Sequence, residues 1–101
     1  MNREFENDIL ALHKGFDAGE RFRTNIVAGD VILDLSTRDR VRGLEILNAA
    51  EFLTSLGLPE KAKLESLDFD ARTTTTVIYL KLRLKTAHRE IPAMIAVPFG
   101  P

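Results

Sequence analysis

The sequence contains no cysteine and no tryptophan, one tyrosine and two histidines. Without cysteine there are no disulfides and no thiol chemistry, and any metal site is left to histidine and carboxylates. No apolar run approaches the roughly 20 residues that a membrane-spanning helix needs. An excess of one charge is also lacking. Fourteen basic against 15 acidic residues leave a net charge of −1, with no global pull toward nucleic acid or an anionic membrane. The opening Met1-Asn2-Arg3-Glu4 is charged and lacks a signal-peptide pattern, so a cytoplasmic location is expected. What remains is a globular composition, 45% hydrophobic and 29% charged, in 101 residues, the length of a single domain.

The densest local signals lie in Asp30–Leu58. Val31–Ser36 alternates, with Val31, Leu33 and Leu35 on one face and Ile32, Asp34 and Ser36 on the other. Val41–Leu47 follows. With Arg38-Asp39 as the tip, Leu33 faces Leu44 and Val31 faces Ile46, stacking apolar on apolar. Asp39 is a tolerable residue where a tip needs positive φ. Asn48 then reads as an N-cap, with Glu51 completing a capping box and Leu47 and Phe52 spaced as a hydrophobic staple. The helix Ala49–Leu56 carries Ala49, Phe52, Leu53 and Leu56 on one stripe. Gly57 is placed for a left-handed C′ residue, Leu58 for a Schellman contact with Leu53, and Pro59 blocks continuation.

These residues resemble DUF2283, a family of small bacterial and archaeal proteins of unknown function. The likeness covers about Phe5 to Leu53 and is strongest at Val41, Gly43, Leu44, Glu45, Ile46, Leu47 and Asn48. The family's usual Asp-Gly loop is Arg38-Asp39 here, and its Tyr-Asp turn is Phe5-Glu6. The resemblance implies no activity; it points only toward an antitoxin-like or regulatory partner role.

Elsewhere, Arg3–Phe5 and Ile9–His13 read as a hairpin across Glu6-Asn7-Asp8, Gly15–Glu20 as a loop, and Arg21–Val27 as an alternating strand. The first half is thus expected to be an antiparallel meander capped by the helix. Pro59–Lys63 suits a turn of helix. Leu67 and Phe69 point opposite to Asp68 and Asp70. Thr73–Lys85 is a long strand with Ile78, Leu80, Leu82 and Leu84 on one face, and the Thr73–Thr76 run reads as its start. With Ala87-His88 as a tip, Leu84 faces Ile91, Leu82 faces Ala93, Leu80 faces Ile95, Ile78 faces Val97 and Lys85 faces Glu90. Pro92 and Pro98 share parity, which places Ile91–Phe99 at a sheet edge.

The expected class is α+β: mostly antiparallel sheet built from hairpins, with one principal short helix, Ala49–Leu56. One domain spans 1–101, with 1–58 a DUF2283-like meander plus helix and 59–101 supplying strands that complete the sheet. Chemistry is sparse. His13 and His88 have no partner at ligand spacing and read as surface histidines. Asp34 and Glu45 share a face and form a candidate polar site, with a wet sheet face as the plainer explanation. Lys81, Arg83 and Lys85 form a candidate basic strip, offset by Glu90 and by the overall charge balance. Ile32, Leu47, Met94, Ala96 and Phe99 are apolar positions left over for an interface. No phosphate loop, nucleophile elbow or repeat is present, so no cofactor and no catalytic residue is assigned. The expected role is a non-catalytic interaction module that self-associates as a homodimer. The alternatives are the antitoxin-like protein partner role and weak nucleic-acid binding through the basic strip.

Overall fold

The computed structural model describes residues 2–4, 8–58 and 64–99. The proposed turn at Glu6-Asn7 and the helical turn at Pro59–Lys63 lie outside them. The chain is mostly antiparallel strand with one short helix, as the alternation predicts. It divides into two compact units, Met1–Leu47 and Asn48–Pro101, each with a sheet of its own. This corrects one expectation: residues after Pro59 build a separate sheet and do not complete the first, and the helix falls in the second unit.

Unit 1 contains β1 (Asn2–Glu4), β2 (Ile9–His13), β3 (Phe22–Ala28), β4 (Val31–Ser36) and β5 (Val41–Leu47). Their order is β1-β2-β5-β4-β3, with every neighbouring pair antiparallel. The expected meander is therefore a Greek-key order: β2 lies against β5, and Lys14–Arg21 carries the chain to the far edge. The reason is apolar matching. Against β5, Leu10 meets Ile46 and Leu12 meets Leu44, and all four are at most 2% exposed. The inward row of β3 offers only Thr24, Ile26 and Ala28, all half-buried. Fully burying a leucine or isoleucine side chain is worth about 1.5–3 kcal/mol, so the larger residues take the central seam.

The β4–β5 hairpin has the expected register, Val31 against Ile46 and Leu33 against Leu44. A bulge beyond Asp34 then shifts the pairing so that Leu35 meets Val41. Asp39 sits at φ 57, as a tight tip requires.

Unit 2 contains α1 (Ala49–Ser55), β6 (Leu64–Thr73), β7 (Val77–Thr86) and β8 (Glu90–Pro98). The helix buries Ala49 and Leu53, while Phe52 and Leu56 are half-buried. Its C-terminus closes as a Schellman motif: the Leu58 N–H donates to Leu53 O at 2.8 Å, the Gly57 N–H to Thr54 O at 2.9 Å, and Gly57 has φ 83. Its N-terminus departs from expectation. Asn48 is left-handed at φ 54 and makes no side-chain cap bond, so no capping box forms. A cap needs an extended backbone that aims the side chain at the first turn. Here asparagine serves instead as a non-glycine residue that tolerates the left-handed bend out of β5.

β6, β7 and β8 form a three-stranded antiparallel sheet in chain order. Every pair expected between β7 and β8 is found, from Lys85–Glu90 to Ile78–Val97. Ile78, Leu80, Leu82 and Leu84 are all fully buried. Phe69, Leu82 and Ala93 share a row, so the bulkiest ring is offset by the smallest side chain. The threonine run is a correction. Thr73 ends β6, and Thr74–Thr76 make the β6–β7 tip. The Thr74 hydroxyl accepts the Val77 N–H at 3.0 Å and donates to Val77 O at 2.9 Å. A threonine that bonds its own turn competes with the ladder. Thr86 repeats the arrangement around Ala87-His88, accepting from the N–H groups of His88 and Arg89.

Candidate functional site

Three places gather polar or exposed chemistry. The first is the outer face of the unit 1 sheet. Asn25, Asp34, Gly43 and His13 occupy one row across β3, β4, β5 and β2, and Val27, Ile32, Glu45 and Ala11 the next. Asp34 and Glu45 are thus diagonal neighbours on one half-exposed face, as the alternation predicts. Across from Asp34, a Cβ on Gly43 would collide with Asp34 Oδ2 and lie 3.0 Å from its Cγ. The glycine is a gap over which the carboxylate lies, reaching 4.0 Å from His13 Nδ1. Among the described residues no group of three or more His, Asp or Glu is arranged to hold a metal.

The second is a charge cluster that sequence reasoning missed. The Glu20 side chain is fully buried although carboxylates rarely are. It accepts from Arg40 Nε at 2.9 Å and Nη2 at 2.8 Å, from Ser36 Oγ at 2.6 Å, and lies 3.6 Å from Arg42 Nε. Its carboxylate also accepts the Asp17 N–H at 3.0 Å, and Arg40 reaches Asp17 at 2.6 Å. The bidentate Arg40 bond, then the Ser36 hydroxyl and the Asp17 N–H, hold the Glu20 carboxyl down to about 2 despite its burial. Arg40 likewise lowers Asp17. Arg38 donates to Ala18 O at 2.7 Å and Arg42 to Gly15 O at 2.7 Å. The arginines of the hairpin thereby pin the crossover Lys14–Arg21 onto the sheet. The available signal was the Arg38-x-Arg40-x-Arg42 spacing beside a loop ending in Glu20.

The third is the outer face of the unit 2 sheet. Asp70, Lys81 and Met94 share one row, and Arg72, Tyr79 and Ala96 the next. The expected basic strip is largely neutralised by β6. Arg83 donates from Nη1 to Asp70 at 2.6 Å and from Nη2 to Asp68 at 2.5 Å. These bonds, Asp70 first, raise its pKa further and keep it charged. Lys81 and Lys85 remain exposed beside it. The Arg72 guanidinium lies over the Tyr79 ring, 5.8 Å from its centre. An open hollow of about 360 Å³ is lined by Asp70, Ala71, Arg72, Tyr79, Lys81 and Met94. The sequence shows Asp68 and Asp70 alternating away from the core; only the β6–β7 pairing brings them to Arg83.

The five candidate interface residues fall in both units. Ile32 and Leu47 are half-buried on the outer side of the unit 1 sheet. In unit 2, Met94 is 66% exposed, Ala96 is exposed, and Phe99 is half-buried with its N–H bonded to Thr76 O. Exposed apolar side chains that the sequence reading did not single out are Phe16, Phe22 and Val27. His88 is exposed at a hairpin tip. Among the described residues no helix is long and apolar enough to cross a membrane.

Compared with known proteins, the chain matches no family model, no curated protein and no solved structure. The likeness at Val41–Asn48 therefore rests on those residues alone.

Proposed function

We propose that this chain is a small non-catalytic interaction module that pairs with a second copy of itself through β3. The supporting observation is the contrast between sheet edges. β3 ends the five-stranded sheet, has neither proline nor lysine, and exposes Val27 at 66% and Phe22 at 51%. A bulge between Phe22 and Thr24 twists its start, but Thr24–Ala28 pairs regularly. An edge of this kind presents unpaired N–H and C=O groups beside apolar side chains, the template on which another strand adds. By contrast β8, an edge of the unit 2 sheet, carries Pro92 and Pro98. Two β3 strands running antiparallel about a two-fold axis make a closed, self-complementary pair.

The antitoxin-like role comes only with the DUF2283 resemblance, and no feature of the molecule favours it over self-pairing. Nucleic-acid binding is weakened by the two aspartates that hold Arg83. Sedimentation velocity tests the reading. Wild type should run as a dimer, and Val27→Lys should run as a monomer with an unchanged circular dichroism spectrum. A wild-type chain that stays monomeric at high micromolar concentration defeats it.

A further inference from the structure

We infer that the hollow on the outer face of the unit 2 sheet binds a small aromatic monophosphate. The charge balance points to an anion. Among the described residues Asp70 is the only carboxylate in the lining, and it is already bonded to Arg83. Lys81 is exposed and Arg72 lies over the Tyr79 ring, and among the described residues neither has a carboxylate within ion-pair distance. Counting Asp68, Asp70, Arg72, Lys81 and Arg83 together, three cations against two anions leave a net +1 on this face.

The geometry of Arg72 adds direction. A guanidinium stacked on a ring keeps its N–H donors in the plane of the fork, where they suit a planar-edged or tetrahedral oxyanion. Register sets Lys81 next to Tyr79 along β7 and Arg72 across from it on β6, so the two cations lie diagonally on either side of the ring. The β8 side, across from Lys81, is apolar and aromatic-friendly. Met94 lines it at 66% exposure, and a thioether makes favourable contacts with ring edges. The Tyr79 ring is 37% exposed beside it. A volume of about 360 Å³ lies at the small end of the range for ligand sites and has room for one ring and its phosphate. This site is separate from β3, and its failure would leave the self-pairing proposal standing.

The test uses the full chain, phenyl phosphate as probe, and amide and tyrosine-ring nuclear magnetic resonance. Saturable shifts should centre on β6–β8, with a dissociation constant on the order of 1 mM, as the efficiency of very small ligands allows. Lys81→Glu and Arg72→Gln should each weaken binding about tenfold, a loss typical of one charge-assisted contact. Lys85→Glu, outside the lining, should leave it unchanged. Met94→Glu, which sets a second carboxylate directly across from Lys81 and claims that cation, should abolish binding. All these positions are exposed, and amide dispersion verifies folding. The proposal is overturned if shifts fail to saturate by about 20 mM, well beyond that expected constant. It is equally overturned if inorganic phosphate binds as tightly as phenyl phosphate, or if Lys81→Glu binds like wild type.

Discussion

Both units are twisted antiparallel sheets with one apolar and one mixed face, yet they are assembled by different rules. In unit 2 chain order and spatial order coincide, β6-β7-β8, and every contact in the sheet closes a hairpin. Both tips are made the same way, by a threonine hydroxyl bonding its own turn. In unit 1 the central seam joins β2 to β5, strands separated by Lys14–Arg40, and a buried carboxylate with surrounding arginines secures the crossover. The lesson is that hairpins need only turn chemistry and register, whereas a non-local pairing brings a long connection that must itself be tied down.

Core truncation is the strongest way to break that comparison. Leu44→Ala in unit 1 and Leu82→Ala in unit 2, both fully buried, should each cost about 2–5 kcal/mol. Urea unfolding followed by hydrogen exchange should show the loss concentrated in the unit that carries the change. Equal loss of protection in both sheets for both variants would mean that the units unfold as one.

Next comes the glycine gap. Gly43→Ala should cost about 1–3 kcal/mol through its collision with Asp34, and adding Asp34→Ala should recover most of it. If the double variant is no better than the single one, backbone freedom and not the Asp34 side chain explains the glycine.

The clamp in unit 1 gives a smaller, pH-dependent effect. Because the folded state holds the Glu20 carboxyl at about 2 against an ordinary 4.5, its stabilisation is complete above about 4.5 and is lost as pH falls toward about 2. Asp17, also lowered by Arg40, titrates in the same direction. Exchange protection of the Lys14–Arg21 crossover should therefore fall on acidification. Glu20→Gln should flatten that fall while lowering stability at neutral pH. An unchanged acid profile in Glu20→Gln would show that other carboxylates control it.

The smallest expected change in stability sharpens the edge contrast. Replacing Pro92 and Pro98 with valine should restore two edge N–H groups on β8 and raise the association state above that of wild type in sedimentation velocity. No increase would mean that exposed charge, not proline, protects that edge.

How much was legible in advance follows from the same contrast. The β7–β8 register could be read residue by residue because four apolar pairs and the Lys85–Glu90 pair agree on one alignment. The β4–β5 register was legible for the same reason, up to the bulge. The place of β2 was not, because Leu10 and Leu12 would satisfy any apolar strand edge, and alternation carries no information about which edge is vacant. Asn48 misled in role because its preference for caps and for left-handed turns looks identical in sequence. Of the candidate site, the Asp34–Glu45 neighbourhood was visible through parity. The Arg83–Asp68–Asp70 cluster and the Arg72–Tyr79 stack were not, since they depend on β6 pairing with β7.

By itself the sequence determined which stretches are strands, which residues face inward, where the helix ends and which strand is blunted by proline. Those are consequences of side-chain period, turn chemistry and missing N–H groups, all local. Only the tertiary structure decided that there are two sheets, that β2 crosses to β5, that Glu20 is buried among arginines, and that β3 is left as an open edge. Each of these depends on competition among distant segments for the same apolar surface and the same backbone donors, which no local pattern encodes.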